Sequence, residues 1–245
     1  MAWLTVLGIP AALYVVGITA LMFYVQSNEQ SPILLTGAGL LTAGVYMFHR
    51  TSVDAIEPMQ ERHRLALRHK KRILAISFTI LVLATAVFAI HNPLNTLLVF
   101  CSLAGVIVYG RRTITKPLRT FPFLKPIVVG SAIALFAWVL NDFSNSIVTL
   151  LAFILICSAD ALLCDLVDCE FDTATGCITL AKKLGPCLTW CIAGLLYLVA
   201  AIELQSSVGW IILLAFPLPS LFKTSLLRTC IDLRPILLLL IAWAV

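Results

Sequence analysis

At 245 residues, 61% apolar and only 12% charged, with a mean hydropathy of +1.03, the chain has too few polar side chains to cover a surface in water; soluble domains carry about a quarter charged residues. A formal net charge of +5 is too small to mark a nucleic-acid binder, and no linker, internal repeat or low-complexity run divides the sequence. The composition specifies one all-α, polytopic membrane domain over residues 1–245.

In chain order, the first apolar run lacks the basic start of a signal peptide and is expected as a retained helix over 3–25. Apolar stretches bounded by turn residues then predict helices over 32–49, 73–90, 94–110, 126–141, 147–164, 187–202 and 208–222, and a ninth from 235 onward. Only ten residues follow Pro235, whereas a span needs about twenty. The ninth segment is therefore expected either not to cross or to be shortened.

The breaks near 26–31, 91–93, 141–146 and 203–207 carry no Lys or Arg. All seventeen lie near 50–72, 111–125, 165–186 and 223–234. The positive-inside rule places those longer loops, and the N-terminus with them, on the cytoplasmic side. The eight cysteines sit in apolar helices or beside cytoplasmic charges and lack metal-ligand spacing; they read as small buried hydrophobes rather than disulfides or zinc ligands.

The most informative segment is Asp165-Leu-Val-Asp168-Cys-Glu-Phe-Asp172. At about 100° per residue on a helix, Asp165, Asp168 and Asp172 fall within roughly 60° of one another, while Glu170 points elsewhere. Three carboxylates on one face repel unless a cation neutralises them, and an all-oxygen cluster suits Mg²⁺ that also bridges to phosphate oxygens. A solvated helix end paired with nearby Lys and Arg is the plainer alternative. Asp160 lies deeper in the same helix, where an acid is costly and faces the bundle interior. Function and buried pairing both fit it.

The run D-x-x-D-x-x-x-D-x-x-x-G-x-x-T-L-x-x-x-L-G over 165–185 resembles the second aspartate-rich motif of the UbiA superfamily of intramembrane prenyltransferases. In that family the motif follows the sixth of nine helices, as it does here. The resemblance implies a nine-helix bundle in which Mg²⁺ bridges Asp165, Asp168 and Asp172 to a prenyl diphosphate. It also implies that Tyr109, Lys116, Arg119, Lys125 and Arg50 hold the diphosphate, with Lys182 and Lys183 as further candidates. Ionisation would give an allylic cation, attacked by a lipophilic acceptor or, in a terpene cyclase, by the substrate's own double bond.

The family's first motif, N-D-x-x-D-x-x-x-D, is degenerate. Val45, His49 and Val53 occupy its ligand positions, and Asp54 is one residue out of phase. His49 and Asp54 are candidate metal ligands, and Asp54, Glu57 and Glu61 are candidate substitutes from the loop. Those acids equally balance the basic residues of 62–72. A CDP-alcohol phosphotransferase would need D-G-x-x-A-R where this chain reads Asp160-Ala-Leu-Leu-Cys164. Prenyl transfer, terpene cyclisation, an inactive relative and a small transporter remain open.

Overall fold

The computed structural model describes residues 2–25, 29, 31–52, 60–110, 121–122, 124–143, 146–174, 177–204 and 224–244. Among them the regular elements are all helical: α1 (Ala2–Val6), α2 (Ile9–Val25), α3 (Pro32–Arg50), α4 (Glu61–Arg68), α5 (Lys70–His91), a 3₁₀ turn (Pro93–Thr96), α6 (Leu97–Gly110), α7 (Leu124–Leu140), α8 (Ile147–Ala174), α9 (Leu180–Leu204) and α10 (Thr224–Ala244). Four of them, α3, α5, α8 and α9, are long and apolar enough to cross a bilayer. The chain is an integral, multi-pass membrane protein. Its outward surface agrees with that: α5 alone exposes Ile76, Phe78, Val82, Leu83 and Ile90. A helix that is apolar outside as well as inside has no face for water.

Local chemistry sets the helix ends. Ser31 caps α3 by accepting from the Leu34 amide at 3.4 Å, with Pro32 at the first helical position. Asn92 ends α5 in an extended conformation, and its Oδ1 accepts from the Leu94 amide at 3.0 Å to start the 3₁₀ turn. The expected first helix is broken. Gly8, at φ +71, separates α1 from α2, and a Cβ there would lie 2.9 Å from the Tyr46 Cβ. Only glycine supplies both the left-handed backbone and the room.

Other boundaries differ from the sequence reading too: 61–68, expected as loop, is α4, and α9 starts at Leu180 rather than 187, with a kink at Gly185. The helix expected over 147–164 runs on to Ala174, so the aspartates stand on α8 itself rather than in a loop after it. The last helix starts at Thr224, not at 235, and its 21 residues rise about 31 Å, a full span's length. Pro235 sits inside it, packed on Gly17 of α2, where a Cβ would be only 2.7 Å from the proline ring. Proline is tolerated within a bundle because neighbouring groups can satisfy the carbonyl it frees. The helix expected over 208–222 lies outside the described residues.

The packing forms a small apolar core of Val6, Met47, Ala66 and Ile73 and two large ones. One joins α2, α7, α8, α9 and α10 around Phe153, Leu162, Leu163 and Tyr197. The other joins α2, α3, α5, α6 and α7 around Phe23, Phe88 and Leu140. On α3, Gly37 and Gly44 face α5, where added Cβ atoms would come within 2.6 Å of Phe88 and 2.8 Å of Leu81. Ser77 of α5 donates to the Gly44 carbonyl at 2.8 Å, so small residues and an interhelical hydrogen bond close this pair. Between the two cores lies a cavity.

Candidate functional site

The cavity, of about 580 Å³, has apolar walls that include Val15, Leu41, Val45, Val106, Ile133 and Phe136. Its other end is charged. The i, i+3, i+7 spacing turns Asp165, Asp168 and Asp172 of α8 inward together, and all three line the cavity. Asp165 and Asp172 are buried.

Each carboxylate meets a cation from another element. Lys125, in the first turn of α7, places its Nζ 2.6 Å from Asp165 Oδ1 and also donates to Asp172 Oδ2. Asp168 Oδ1 accepts from Arg62 of α4 at 2.7 Å and from Gln60 at 2.9 Å, while its Oδ2 pairs with Arg228 of α10. One face of α8 thus ties down α7, α4 and α10 through buried charge. Exposed pairs contribute little, but these are largely withdrawn from water, so breaking one strands its partner.

Arg50 behaves differently. It ends α3, is only 4% exposed, and lies with its guanidinium 5.6 Å from the Tyr46 ring centroid. It forms no ion pair among the described residues, and its Nε has no hydrogen-bond partner. Seven buried side-chain polar atoms lack a partner among the described residues. Four belong to residues lining this cavity: Arg50 Nε, Arg62 Nε, His63 Nδ1 and Asp165 Oδ2. Buried polar groups are normally satisfied, so this gathering marks a place built for a polar ligand.

The sequence-derived residues divide clearly. Asp165, Asp168, Asp172, Tyr109, Lys125, Arg50 and His49 all line the cavity. Asp54, Glu57, Lys116 and Arg119 lie outside the described residues. Glu61, Lys182 and Lys183 are exposed and are not part of the lining. Sequence reasoning missed Arg62, His63, Arg228 and Asp232, which also line it. No spacing rule connects them to α8. Arg228 and Arg234 were expected in a cytoplasmic loop, and both instead stand on α10 and face the interior.

Asp160 resolves into a pairing role. Its carboxylate accepts from Tyr14 of α2 at 2.8 Å and from Tyr197 of α9 at 2.6 Å, and it pairs with Arg234 of α10. Arg234 also donates to the Tyr197 hydroxyl and lies 4.4 Å from that ring's centroid. This network occupies the carboxylate fully and joins four helices.

Among the described residues, no group of three or more acidic, histidine or cysteine side chains is arranged to hold a metal ion. Lys125 stands between Asp165 and Asp172, where an ion would have to sit. The described residues do not form a resident metal cage.

His63, on α4 outside the spanning helices, is buried and stacks on Phe171 with ring centroids 4.6 Å apart and 11° between planes. Burial, then the Arg62 and Arg50 guanidiniums, hold its imidazole down at about 3. An unfolded histidine titrates near 6.5, so between those values the unfolded chain binds a proton that the native one does not. Its contribution to stability is complete above about pH 6.5 and is lost as pH falls toward 3, at up to about 1.4 kcal/mol per pH unit. Denaturation midpoints at pH 7 and 4.5 should fall more for wild type than for His63→Phe. Equal falls would show that His63 carries none of the acid sensitivity.

Compared with family models, with curated proteins and with solved structures, the chain matches none.

Proposed function

We propose that this chain is a UbiA-like membrane enzyme that takes a prenyl diphosphate with its Mg²⁺ into the cavity between the two cores. The observation that carries the reading is the unsatisfied charge at one end of an otherwise apolar chamber, above all buried Arg50 without an ion pair among the described residues. An isoprenoid chain suits the apolar walls, and a diphosphate suits Arg50, Arg62, Lys125 and Arg228. In this reading the charged end faces the cytoplasm, and the bundle has the nine-helix UbiA arrangement.

Charge balance supports Mg²⁺ as a companion of the substrate. Four cations (Arg50, Arg62, Lys125, Arg228) meet four carboxylates (Asp165, Asp168, Asp172, Asp232) at this end of the lining, so their formal charges cancel. A diphosphate ester brings about three further negative charges. It therefore needs cations of its own, and the aspartates, Asp165 Oδ2 included, are placed to share them.

Chemistry then needs little movement of the protein. As the allylic C–O bond breaks, its electron pair leaves with the diphosphate, and the arginines and Lys125 stabilise that developing charge. The walls around Val106, Ile133 and Phe136 keep water from the carbocation. An aromatic or other lipophilic acceptor, or the substrate's own double bond, completes the reaction.

The test uses purified protein in detergent with MgCl₂ and farnesyl or geranylgeranyl diphosphate. A ligand at a hundred times its Kd stabilises the native state by about 2.7 kcal/mol, a shift of several degrees in unfolding temperature, whereas Mg²⁺ alone should shift it much less. Arg50→Gln should remove the shift without unfolding the protein, since no carboxylate among the described residues pairs with Arg50. Absence of any diphosphate-dependent shift in wild type sinks this reading and favours an inactive relative.

A further inference from the structure

One side chain at this site that the reading above leaves without a role is His63. Its ring forms part of the cavity lining, is only 5% exposed, and is fixed in plane by Phe171 of α8. Its Nδ1 is buried and has no hydrogen-bond partner among the described residues. A stacked, buried imidazole with an idle nitrogen beside two arginines lacks one thing, an anion.

Among the described residues the surroundings are as follows. On α4, Gln60 and Arg62 are turned to Asp168, and Glu61 and Arg64 are exposed. From α3 come Arg50 and His49, and from α8 comes Asp168, already held by Arg62 and by Arg228 of α10. Helix α1, which also packs on α4, has no titratable side chain, and Lys70, Lys71 and Arg72 at the start of α5 are exposed.

We propose that His63 is a proton-accepting ligand of the diphosphate: as the anion enters, Nδ1 takes a proton from solvent and donates it as a hydrogen bond to a phosphate oxygen. The proposal rests on the diphosphate reading and adds to it a coupling between binding and proton uptake. Without ligand, Arg62 and Arg50 oppose a third positive charge, and the imidazole stays neutral, its pKa about 3. One negative charge about 4 Å away, in a site of intermediate dielectric, moves an imidazole's pKa by about three. A phosphate carrying close to two charges therefore brings His63 into the neutral range. No oxidant or co-reactant is involved; the proton comes from water, and it returns to water when the anion leaves.

The experiment titrates full-length protein in detergent with inorganic pyrophosphate and MgCl₂ at pH 6.5. It uses calorimetry in two buffers of different ionisation enthalpy, which yields the protons exchanged on binding. Wild type should take up about one proton more than His63→Phe, which keeps the stacking on Phe171 but has no ring nitrogen, and should bind about tenfold more tightly. His63→Asn, which can donate a hydrogen bond but cannot take up a proton, should lose the uptake while keeping more of the affinity. It also serves if the phenylalanine variant does not fold. Equal proton uptake in wild type and both variants overturns the proposal alone. Failure of wild type to bind pyrophosphate at millimolar concentration overturns the diphosphate reading and the proposal with it. The ¹⁵N shift of His63, one of four histidines, should move to the protonated range on adding pyrophosphate, and an unchanged shift counts against the proposal.

Discussion

Replacing Arg234 by leucine should cost about 3–5 kcal/mol, the usual consequence of stranding one member of a buried ion pair. Asp160 would keep its hydrogen bonds from Tyr14 and Tyr197 but lose the only cation paired with it among the described residues. Two phenols cannot neutralise a carboxylate inside a bundle, and a charge there is expensive. Asp160→Asn should suffer the mirror-image loss, leaving a buried guanidinium. Combining Asp160→Asn with Arg234→Leu removes both charges and should recover most of the stability. Unfolding in mixed detergent micelles, measured for the two single variants and the double, gives the coupling directly. Additive losses would mean that the pair contributes nothing as a pair.

Lys125→Ala should produce the second large effect and invert the protein's response to metal. The Lys125 ammonium bridges Asp165 and Asp172, and Asp165 Oδ2 has no partner among the described residues. Without the lysine, the buried carboxylates of Asp165 and Asp172 lose the cation they share, at a cost of about 3 kcal/mol or more. The gap they leave is lined by oxygen and carries negative charge, the donor chemistry Mg²⁺ prefers. Millimolar MgCl₂ alone should therefore raise the unfolding temperature of Lys125→Ala by several degrees while moving wild type little. Lys125→Arg should stay insensitive. A variant that Mg²⁺ does not stabilise would show that the lysine holds no position an ion could take.

The register of the acidic face was readable from sequence because helical periodicity is local. Asp165, Asp168 and Asp172 do turn to one side, and Lys125, Tyr109, Arg50 and His49 do line the same cavity. Their partners were not readable. Arg62, Arg228 and Gln60 reach Asp168 from segments 60 to 108 residues away in the chain, and no spacing within one segment records such a meeting. The last helix was misplaced for a related reason. Arg228, Asp232 and Arg234 depress the hydropathy of its first half, and Pro235 reads as a helix start. What makes that half a helix among helices is neutralisation: Asp168 takes Arg228, and Asp160 takes Arg234. A window of apolarity sees the charges and not their counter-charges. The break at Gly8 was hidden in the same way, since the Tyr46 Cβ and the Ala43 backbone that crowd it lie on another helix.

The Asp160 network also sets an order of events during synthesis. Tyr14, Asp160, Tyr197 and Arg234 come from α2, α8, α9 and α10, in that order of synthesis. While the chain is emerging, Asp160 enters the membrane before its arginine exists. The half-built protein must keep that acid protonated or shelter it beside an insertion factor until α10 arrives. Completion of the ion pair then closes the bundle, bringing α10 against α2 at Gly17 and Pro235. A chain stopped before Arg234 would carry Asp160 without the cation that pairs with it among the described residues, so the contact that locks these helices together forms only after α10 has been made.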